Sequence, residues 1–279
     1  VVQPNIGQQD KWQAGYEDQN LTKLAQLTLR TDDRPRLIFW PEAAIPDYLE
    51  SGYPARYYYG RPPEFVRGQL ASLMKPGDML VLGALKLTLG IRVSPETAQG
   101  GGMLPSSFRR CSIGLGEVLR LLGGARSLDL GPFGKVGLQV CYEIIFSGQV
   151  VDRSNRPDFI FNPSNDAWFG SWGPPQHLAQ ARLRAIEEGL PVIRSTPTGI
   201  SAVIDANSAV AGLSVDDVAV IDANGRVRAS VPMAQAGRID SRLPQAKAAP
   251  LFARYGNILP LGLALILLLS AIAIRLRAR

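Results

Sequence analysis

The side chain best placed for nucleophilic chemistry is Cys141, which follows the apolar run Val136–Val140 and precedes Tyr142 and Glu143. The apolar run predicts a β-strand, and a side chain at the end of a strand can be held rigidly and still face a cleft. The backbone amides that follow such a residue can donate to an oxyanion. The alternative is that Cys141 is a small buried hydrophobic residue, as free cysteines commonly are.

Glu42 is the second candidate for a chemical role. It lies in the segment WPEAAIP, directly after the apolar run Leu37–Trp40. Neighbouring Trp, Ala and Ile side chains exclude water from a carboxylate, which raises its pKa and suits it to accept a thiol proton. The alternative is an acidic residue in a surface turn.

Other kinds of catalytic site lack the residues that they need. The chain has one histidine, His177, whose place in a helical pattern indicates a structural role. It contains no GxSxG, Walker or GxGxxG motif. The two cysteines, Cys111 and Cys141, provide neither a disulfide framework nor the spacing of metal ligands. We therefore predict neither a cofactor nor a metal ion.

The elements that must position these side chains alternate between strands and helices. Short apolar runs predict strands, and the longer segments 11–29 and 176–188 predict helices. This alternation predicts a layered α/β fold for one domain over residues 1–250. Residues 90–124 are rich in Gly, Ser and Arg without a clear period, so an irregular segment is expected there.

The end of the sequence differs from the rest. Residues 257–274 contain no charged side chain, and their length is sufficient to cross a bilayer core of about 30 Å as a helix. A buried core helix is the alternative. The arginines in the tail 275–279 favour the cytoplasmic side of a membrane, which would leave the domain on the opposite, periplasmic side. An exported domain needs preceding sequence, so we expect membrane helices before Val1. The net charge of +6 then needs no nucleic-acid partner.

Four segments carry a resemblance to a known family. WPEAAIP, GLQVCYEIIF, NPSNDAWFGSWGPPQHLAQARLRAIEEGLPVIRS and PTGISAVID resemble the apolipoprotein N-acyltransferases, members of the nitrilase (carbon-nitrogen hydrolase) superfamily. The resemblance runs from Val1 to Asp205, resumes over Ile221–Val231 and includes the closing apolar helix. It implies a nitrilase-like αββα sandwich followed by one C-terminal transmembrane helix.

The resemblance also implies a reaction and its site. The family uses a Glu-Lys-Cys triad, in which Glu42 and Cys141 match the glutamate and the cysteine, and Glu143 matches an acidic residue just after the nucleophile. An acyl chain would pass from a phospholipid, through a thioester on Cys141, to the N-terminal amine of a diacylglyceryl-cysteine lipoprotein. The implied location is the bacterial inner membrane, with the domain on the periplasmic side.

One part of the family pattern is missing from the sequence. The family lysine lies in a segment resembling YDKxHLVPFGEY, which has no counterpart between Glu42 and Cys141; Lys86 and Lys135 are the nearest lysines. We therefore expect little or no transferase activity. Two alternatives stay open, namely a membrane-tethered C–N hydrolase of the amidase type and an inactive remnant that only binds lipid or lipoprotein.

Overall fold

The computed structural model describes residues 1–11, 13, 15–84, 125–204 and 227–277, together with the backbone of four short strands between residues 87 and 120. The strands are β1 (Val2–Gln3), β2 (Leu37–Phe39), β3 (Met79–Val81), β4 (Leu87–Thr88), β5 (Ser106–Ser107), β6 (Cys111–Gly114), β7 (Glu117–Arg120), β8 (Ser127–Asp129), β9 (Lys135–Leu138), β10 (Phe159–Pro163), β11 (Val192–Ser195), β12 (Ser201–Ile204), β13 (Val227–Val231) and β14 (Gly237–Arg238). The helices are α1 (Gln8–Lys11), α2 (Glu17–Leu27), α3 (Pro63–Ser72), α4 (Gly173–Glu188), α5 (Leu251–Tyr255) and α6 (Ile258–Arg277).

Most of the strands belong to two sheets. The larger sheet has the order β13-β12-β11-β10-β9-β8, in which β9, β10 and β11 are parallel neighbours. The smaller sheet has the order β2-β3-β6-β7, in which β2 and β3 are parallel. Because parallel strands end at the same edge of a sheet, the segments that follow β9 and β10 are brought together.

The two sheets pack face to face through an apolar layer. The ring of Phe39 in β2 lies against those of Phe159 and Phe161 in β10, with centroid separations of 6.0 Å and 4.7 Å respectively. Val81 of β3 and Ile193 of β11 belong to the same core. Buried aromatic contacts of this kind supply much of the apolar area in a core. They hold β2 against β10, and each of these strands leads into a loop of the candidate site.

Helices cover the outer face of each sheet. Leu24 of α2 and Val66 of α3 pack with the fully buried Trp40 against the smaller sheet. Ala181 and Ala185 of α4 pack against the larger sheet. The resulting order of helix, sheet, sheet and helix confirms the predicted αββα sandwich.

Helix α4 begins and ends where its sequence indicates. Pro174 lies in the first turn, where the backbone N–H that proline lacks would have no partner within the helix. Gly189 follows the last residue with a φ of +62°, a left-handed conformation that glycine adopts without a steric penalty. The helix predicted over residues 176–188 is therefore confirmed, with three more residues at its start.

The helix predicted over residues 11–29 is wrong as one continuous element. The structure has α1, which ends at Lys11, and α2, which begins at Glu17. Gly15 lies between them with a φ of +90°, and its N–H donates to the Glu17 carboxylate at 2.8 Å. A left-handed glycine cannot continue a right-handed helix, so the chain changes direction here. This break allows α1 to lie over the candidate site.

The prediction of an irregular segment over residues 90–124 is wrong at three places. Strands β5, β6 and β7 fall within it, and β6 and β7 form an antiparallel pair in which Ile113 is opposite Val118. β6 also pairs with β3 in the middle of the smaller sheet, and β7 forms its edge. The rest of the segment lies outside the described residues. The many glycines conceal the strand pattern, because residues without side chains interrupt the apolar alternation.

Helix α6 is the most exposed element of the structure. It is 20 residues long, and it is long and apolar enough to cross a membrane. None of its apolar window is buried against the rest of the described chain. The alternative of a buried core helix is therefore wrong. Arg275 and Arg277, predicted to be in the tail, belong to its last turn.

Candidate active site

Cys141 lies where the chain leaves β9 and enters a 3₁₀ turn over Cys141–Ile145. Its φ is +50°, a left-handed conformation that costs a non-glycine residue about 1–3 kcal/mol. Hydrogen bonds from neighbouring side chains fix this conformation, because the carbonyl oxygen of Cys141 accepts from Nδ2 of Asn162 at 3.2 Å and from Nε2 of His177 at 3.1 Å. These bonds hold the candidate nucleophile in place through its backbone carbonyl.

The Cys141 thiol is partly buried and faces acidic groups. Its Sγ lies 4.0 Å from the backbone oxygen of Asn165. Burial, followed by the negative charge of Glu42, raises the pKa of the thiol to about 12. A raised thiol pKa favours the protonated form, so the sulfur is neutral near pH 7 and needs a base before it can attack. The alternative role as an inert buried residue does not explain the acidic partner beside it.

Glu42 is the candidate for that base. The negative charge of its carboxylate acts on the Cys141 thiol, so the two groups face each other, as a general base and its proton donor must. Its Oε2 is buried and has no hydrogen-bond partner among the described residues. A buried carboxylate oxygen does not fit an ordinary surface turn acid, and the role of Glu42 as the base stays a prediction.

The loop that carries Glu42 is fixed by its contact with the end of β3. The N–H of Gly83 donates to Pro41, and the N–H of Ala44 donates to Gly83. A Cβ atom at Gly83 would lie 2.8 Å from Cα of Glu42, so the close approach requires glycine. Ala43, the residue after the base, has a φ of +46°. Both candidate catalytic side chains are thus at or beside a left-handed non-glycine residue.

The Glu143 side chain bonds to the backbone of Val140, just before the candidate nucleophile. Its Oε2 accepts the N–H of Val140 at 2.9 Å, while its own N–H donates to the Val140 carbonyl at 3.1 Å. These reciprocal bonds close the 3₁₀ turn that begins at Cys141. They make Glu143 a positioning residue for the candidate nucleophile. They also engage the N–H of Glu143, one of the backbone amides after Cys141 that could otherwise donate to an oxyanion. A catalytic role for Glu143 stays a prediction.

A buried polar cluster beneath the nucleophile was not predicted from the sequence. Arg194 of β11 is fully buried, and its Nη2 lies 2.6 Å from each carboxylate oxygen of Asp166. Nδ1 of His177 lies 2.9 Å from Oδ1 of the same aspartate. Burial alone would raise the pKa of Asp166, but Arg194 and His177 hold it below its usual value. The only sequence signal was an arginine within the apolar strand VIRS.

This cluster connects the larger sheet to the nucleophile. Nη1 of Arg194 donates to Oδ1 of Asn162 at 2.6 Å, and Nδ2 of Asn162 donates to the Cys141 carbonyl. Since the carbonyl can only accept, Nε2 of His177 must carry a proton. The structural role expected for His177 is therefore extended, because the histidine joins Asp166 to the nucleophile's backbone.

Of the two lysines considered from the sequence, the structure describes only Lys135, which lies away from the site. Lys135 begins β9, at the opposite end of that strand from Cys141, and its Nζ donates to Asn155 at 2.9 Å. Lys86 lies outside the described residues. Within the part of the chain that the structure describes, no group of three or more His, Cys, Asp or Glu side chains is arranged to hold a metal ion.

Comparison with known proteins assigns the chain to a family. Residues 1–239 match the family described as carbon-nitrogen hydrolase, and the chain belongs to that family. An apolipoprotein N-acyltransferase of Bradyrhizobium diazoefficiens is 29% identical over 100% of this chain and 54% of its own length. One from Allorhizobium ampelinum is 32% identical over 75% of this chain and 44% of its own length. The chain thus spans about half the length of the curated relatives that it matches.

Solved structures of the same superfamily are also similar to the chain. An amidase of the nitrilase superfamily from Nesterenkonia AN1 gives a TM-score of 0.46 at 14% identity, covering 79% of this chain and 82% of the amidase. A CN-hydrolase superfamily protein from Xanthomonas campestris with an arsenic adduct in its active site gives 0.45 at 18% identity, covering 93% and 95% respectively.

Replacing His177 with Ala tests the support of the nucleophile. The change removes a donor to the Cys141 carbonyl and a partner of Asp166, so we expect unfolding free energy to fall by about 1–3 kcal/mol. We also expect slower alkylation of Cys141 by iodoacetamide, measured by peptide-resolved mass spectrometry. Gln176→Ala, at an exposed position on the same helix, is the control. Equal stability and alkylation in the two variants would contradict the assigned role.

Proposed function

We propose that the protein transfers a fatty acyl chain from a phospholipid, through a thioester on Cys141, to the N-terminal amine of a diacylglyceryl-cysteine lipoprotein. The observation that carries this proposal is a neutral Cys141 thiol that faces the Glu42 carboxylate, whose Oε2 is buried without a hydrogen-bond partner among the described residues. The names of the curated relatives, apolipoprotein N-acyltransferase, support the choice of substrates.

The first half-reaction forms the acyl-enzyme. Glu42 accepts the proton of the Cys141 thiol, and the sulfur attacks the ester carbonyl carbon of the phospholipid. When the tetrahedral intermediate collapses, the bond between the carbonyl carbon and the glycerol oxygen breaks. The protonated Glu42 returns its proton to that oxygen, so the products are a lysophospholipid and the Cys141 thioester.

The second half-reaction consumes the thioester. The neutral N-terminal amine of the lipoprotein attacks the same carbonyl carbon, and Glu42 accepts a proton from the amine nitrogen. The carbon–sulfur bond then breaks as the amide forms. Transfer of the proton from Glu42 to the departing sulfur restores the thiol and the carboxylate. One base thus serves both steps, as expected for a ping-pong reaction.

Exposed aromatic side chains near the site favour a lipid substrate. Tyr142 and Phe146 are each 52% exposed in the segment after the nucleophile, and Trp168 and Trp172 are each 68% exposed in the loop after β10. Soluble proteins seldom expose large apolar side chains in groups without a binding role. Tryptophan and tyrosine are also enriched where proteins meet the membrane–water boundary. We assign these side chains to contact with acyl chains or the bilayer surface.

Helix α6 would keep the site at the membrane. We propose that residues 1–250 form the catalytic domain, that residues 257–274 span the bacterial inner membrane, and that the basic tail 275–279 lies in the cytoplasm. The uncharged and unburied face of α6 supports the span, and its terminal arginines support the orientation. The catalytic domain would then face the periplasm, where a lipid donor and a lipoprotein acceptor are both within reach.

Two other functions predict different fates for the acyl group. A membrane-tethered amidase uses the same residues but releases the acyl group to water. An inactive remnant binds lipid or lipoprotein and forms no thioester. Dependence of thioester breakdown on the amine acceptor separates the transferase from the amidase, and the presence of the thioester separates both enzymes from the remnant.

Replacing Cys141 with Ser is expected to abolish the acyl-enzyme, because a hydroxyl is far less ionised than a thiol near neutral pH. The measurement is intact mass after incubation of the full chain with phospholipid vesicles, followed by addition of a diacylated lipopeptide. The parent should gain one acyl mass and lose it only when the lipopeptide is present. Cys111→Ser, at the other cysteine, is the control and should behave as the parent. An acyl adduct that persists in Cys141→Ser would rule out Cys141 as the nucleophile.

Glu42→Gln keeps the size of the side chain but removes the proton acceptor. We expect acylation to slow by the roughly 10²–10⁴-fold that is typical for loss of a general base. Circular dichroism of the variant should match that of the parent, since Glu42 is replaced by a side chain of the same shape. Acylation at the parental rate would show that Glu42 is not the general base and is only a turn residue.

Leu267→Arg places a charge near the middle of α6 and tests the membrane span. A charged residue at a bilayer centre costs about 2.5–3.5 kcal/mol on insertion scales, so the fraction of chain resistant to carbonate extraction from membranes should fall. Leu276→Arg, beside the existing arginines at the end of the helix, is the control and should leave that fraction unchanged. Equal extraction of both variants and the parent would argue against a spanning helix.

A further inference from the structure

Lys11 occupies a position that the sequence did not indicate. It is the last residue of α1 and is 5% exposed, although lysine is rarely buried unless it is paired. Its Nζ donates to the backbone oxygen of Glu42 at 2.8 Å. A buried ammonium therefore lies directly on the loop that carries the proposed base.

The rest of α1 contacts the opposite side of the same site. Oε1 of Gln8 accepts a hydrogen bond from Nδ2 of Asn165 at 2.8 Å. The backbone oxygen of Asn165 lies 4.0 Å from Sγ of Cys141. Nδ2 of Asn20 in α2 donates to the backbone oxygen of Asp10 at 3.1 Å and anchors the short helix. One turn of helix thus joins the loop of the base to the loop after β10, whose Asn165 backbone oxygen faces the Cys141 sulfur.

We propose that Lys11 is the positioning cation of this active site, holding the Glu42 loop through its carbonyl and stabilising the negative charge that Glu42 and Cys141 share. This proposal deepens the proposed function, because it supplies the cation that the missing family segment would otherwise leave absent. The expectation of little or no transferase activity rested on the absence of such a cation, and this proposal revises it. The break in the helix at Gly15 allows the N-terminal segment that carries Lys11 to lie over the site.

The charge state of Lys11 agrees with this position. Burial lowers its pKa to about 8, and the negative charges of Glu42 and Cys141 act in the opposite direction to retain the proton. These two groups are the titratable side chains that face Lys11 from the loop after β2 and from the turn after β9. The ammonium is therefore charged near pH 7 and becomes neutral as the pH rises through about 8.

The charge of Lys11 makes the reactivity of Cys141 depend on pH. Below pH 8 the charged Lys11 favours a negative sulfur, and an opposite charge nearby lowers a thiol pKa by about one unit or more. Above pH 8 this assistance is lost. Reactivity of Cys141, which otherwise rises as the pH approaches the thiol pKa, should therefore show an inflection near pH 8.

The test is the rate of Cys141 alkylation by iodoacetamide between pH 6 and 10, followed on the Cys141 peptide by mass spectrometry in the full detergent-solubilised chain. Lys11→Met, which keeps the length of the side chain without its charge, should react roughly tenfold more slowly at pH 7 and show no inflection near pH 8. Lys11→Arg, which keeps the charge, should retain the faster rate and also lose the inflection. Lys135→Met is the control for removal of a lysine outside the site and should match the parent.

A parental pH profile in Lys11→Met, or an altered one in Lys135→Met, would overturn the proposal. If Lys11→Met does not fold, the profile of the parent alone decides, since a smooth rise without an inflection near pH 8 also contradicts it. Alkylation needs no lipid substrate. Failure of acyl transfer with a normal alkylation profile would therefore reject the proposed function and leave the role of Lys11 intact.

Discussion

The candidate site depends on the hydrogen bonds that Asn162 and His177 donate to the carbonyl oxygen of Cys141. The left-handed backbone at Cys141 is unfavourable for any residue with a Cβ atom, and it persists only if the surroundings over-determine it. Asp166 and Arg194 provide that determination, because they hold both donors in a buried network. The parallel strands β9, β10 and β11 bring these residues to one edge of the larger sheet.

The same enclosure creates the chemical problem that the site must solve. Burial keeps the Cys141 thiol protonated, and the negative charge of Glu42 opposes its ionisation further. A carboxylate that faces the thiol can accept its proton during the reaction, so the thiolate need not exist at rest. Lys11 offsets part of the repulsion between the two acidic groups and fixes the loop between them. We propose that glutamate, cysteine and lysine act as one electrostatic unit, with a lysine from a different part of the chain than the family pattern implies.

The sequence predicted the features that are encoded locally. The layered α/β fold, α4 and its glycine end, and the positions of Glu42 and Cys141 after apolar strands follow from short-range patterns, whereas the αββα order came from the family resemblance. The cluster of Asp166, His177 and Arg194 could not be predicted in this way, because its contacts join residues 11 to 28 positions apart through the pairing of β10 with β11. Such contacts have no period or spacing in the sequence.

The contact of Lys11 with Glu42 is a second feature that local sequence patterns could not predict. The helical pattern around Lys11 continued into α2, and the left-handed Gly15 lies between the two helices. A contact between residue 11 and residue 42 needs both that break and the pairing of β2 with β3, neither of which is visible in the residues around the lysine. The strands within residues 90–124 were missed for a different reason, since glycine removes the side chains from which alternation is recognised.

The proposed mechanism depends on a neutral Cys141 thiol that is activated by the neighbouring Glu42 carboxylate. The most direct measurement is titration of the Cys141 thiolate by its ultraviolet absorbance in a Cys111→Ser background, with and without Glu42→Gln. The account predicts a pKa well above 9 for Cys141 when Glu42 is present, and a lower pKa in Glu42→Gln because the repelling charge is gone. A thiolate already formed at or below pH 8 when Glu42 is present, with no change in Glu42→Gln, would contradict it.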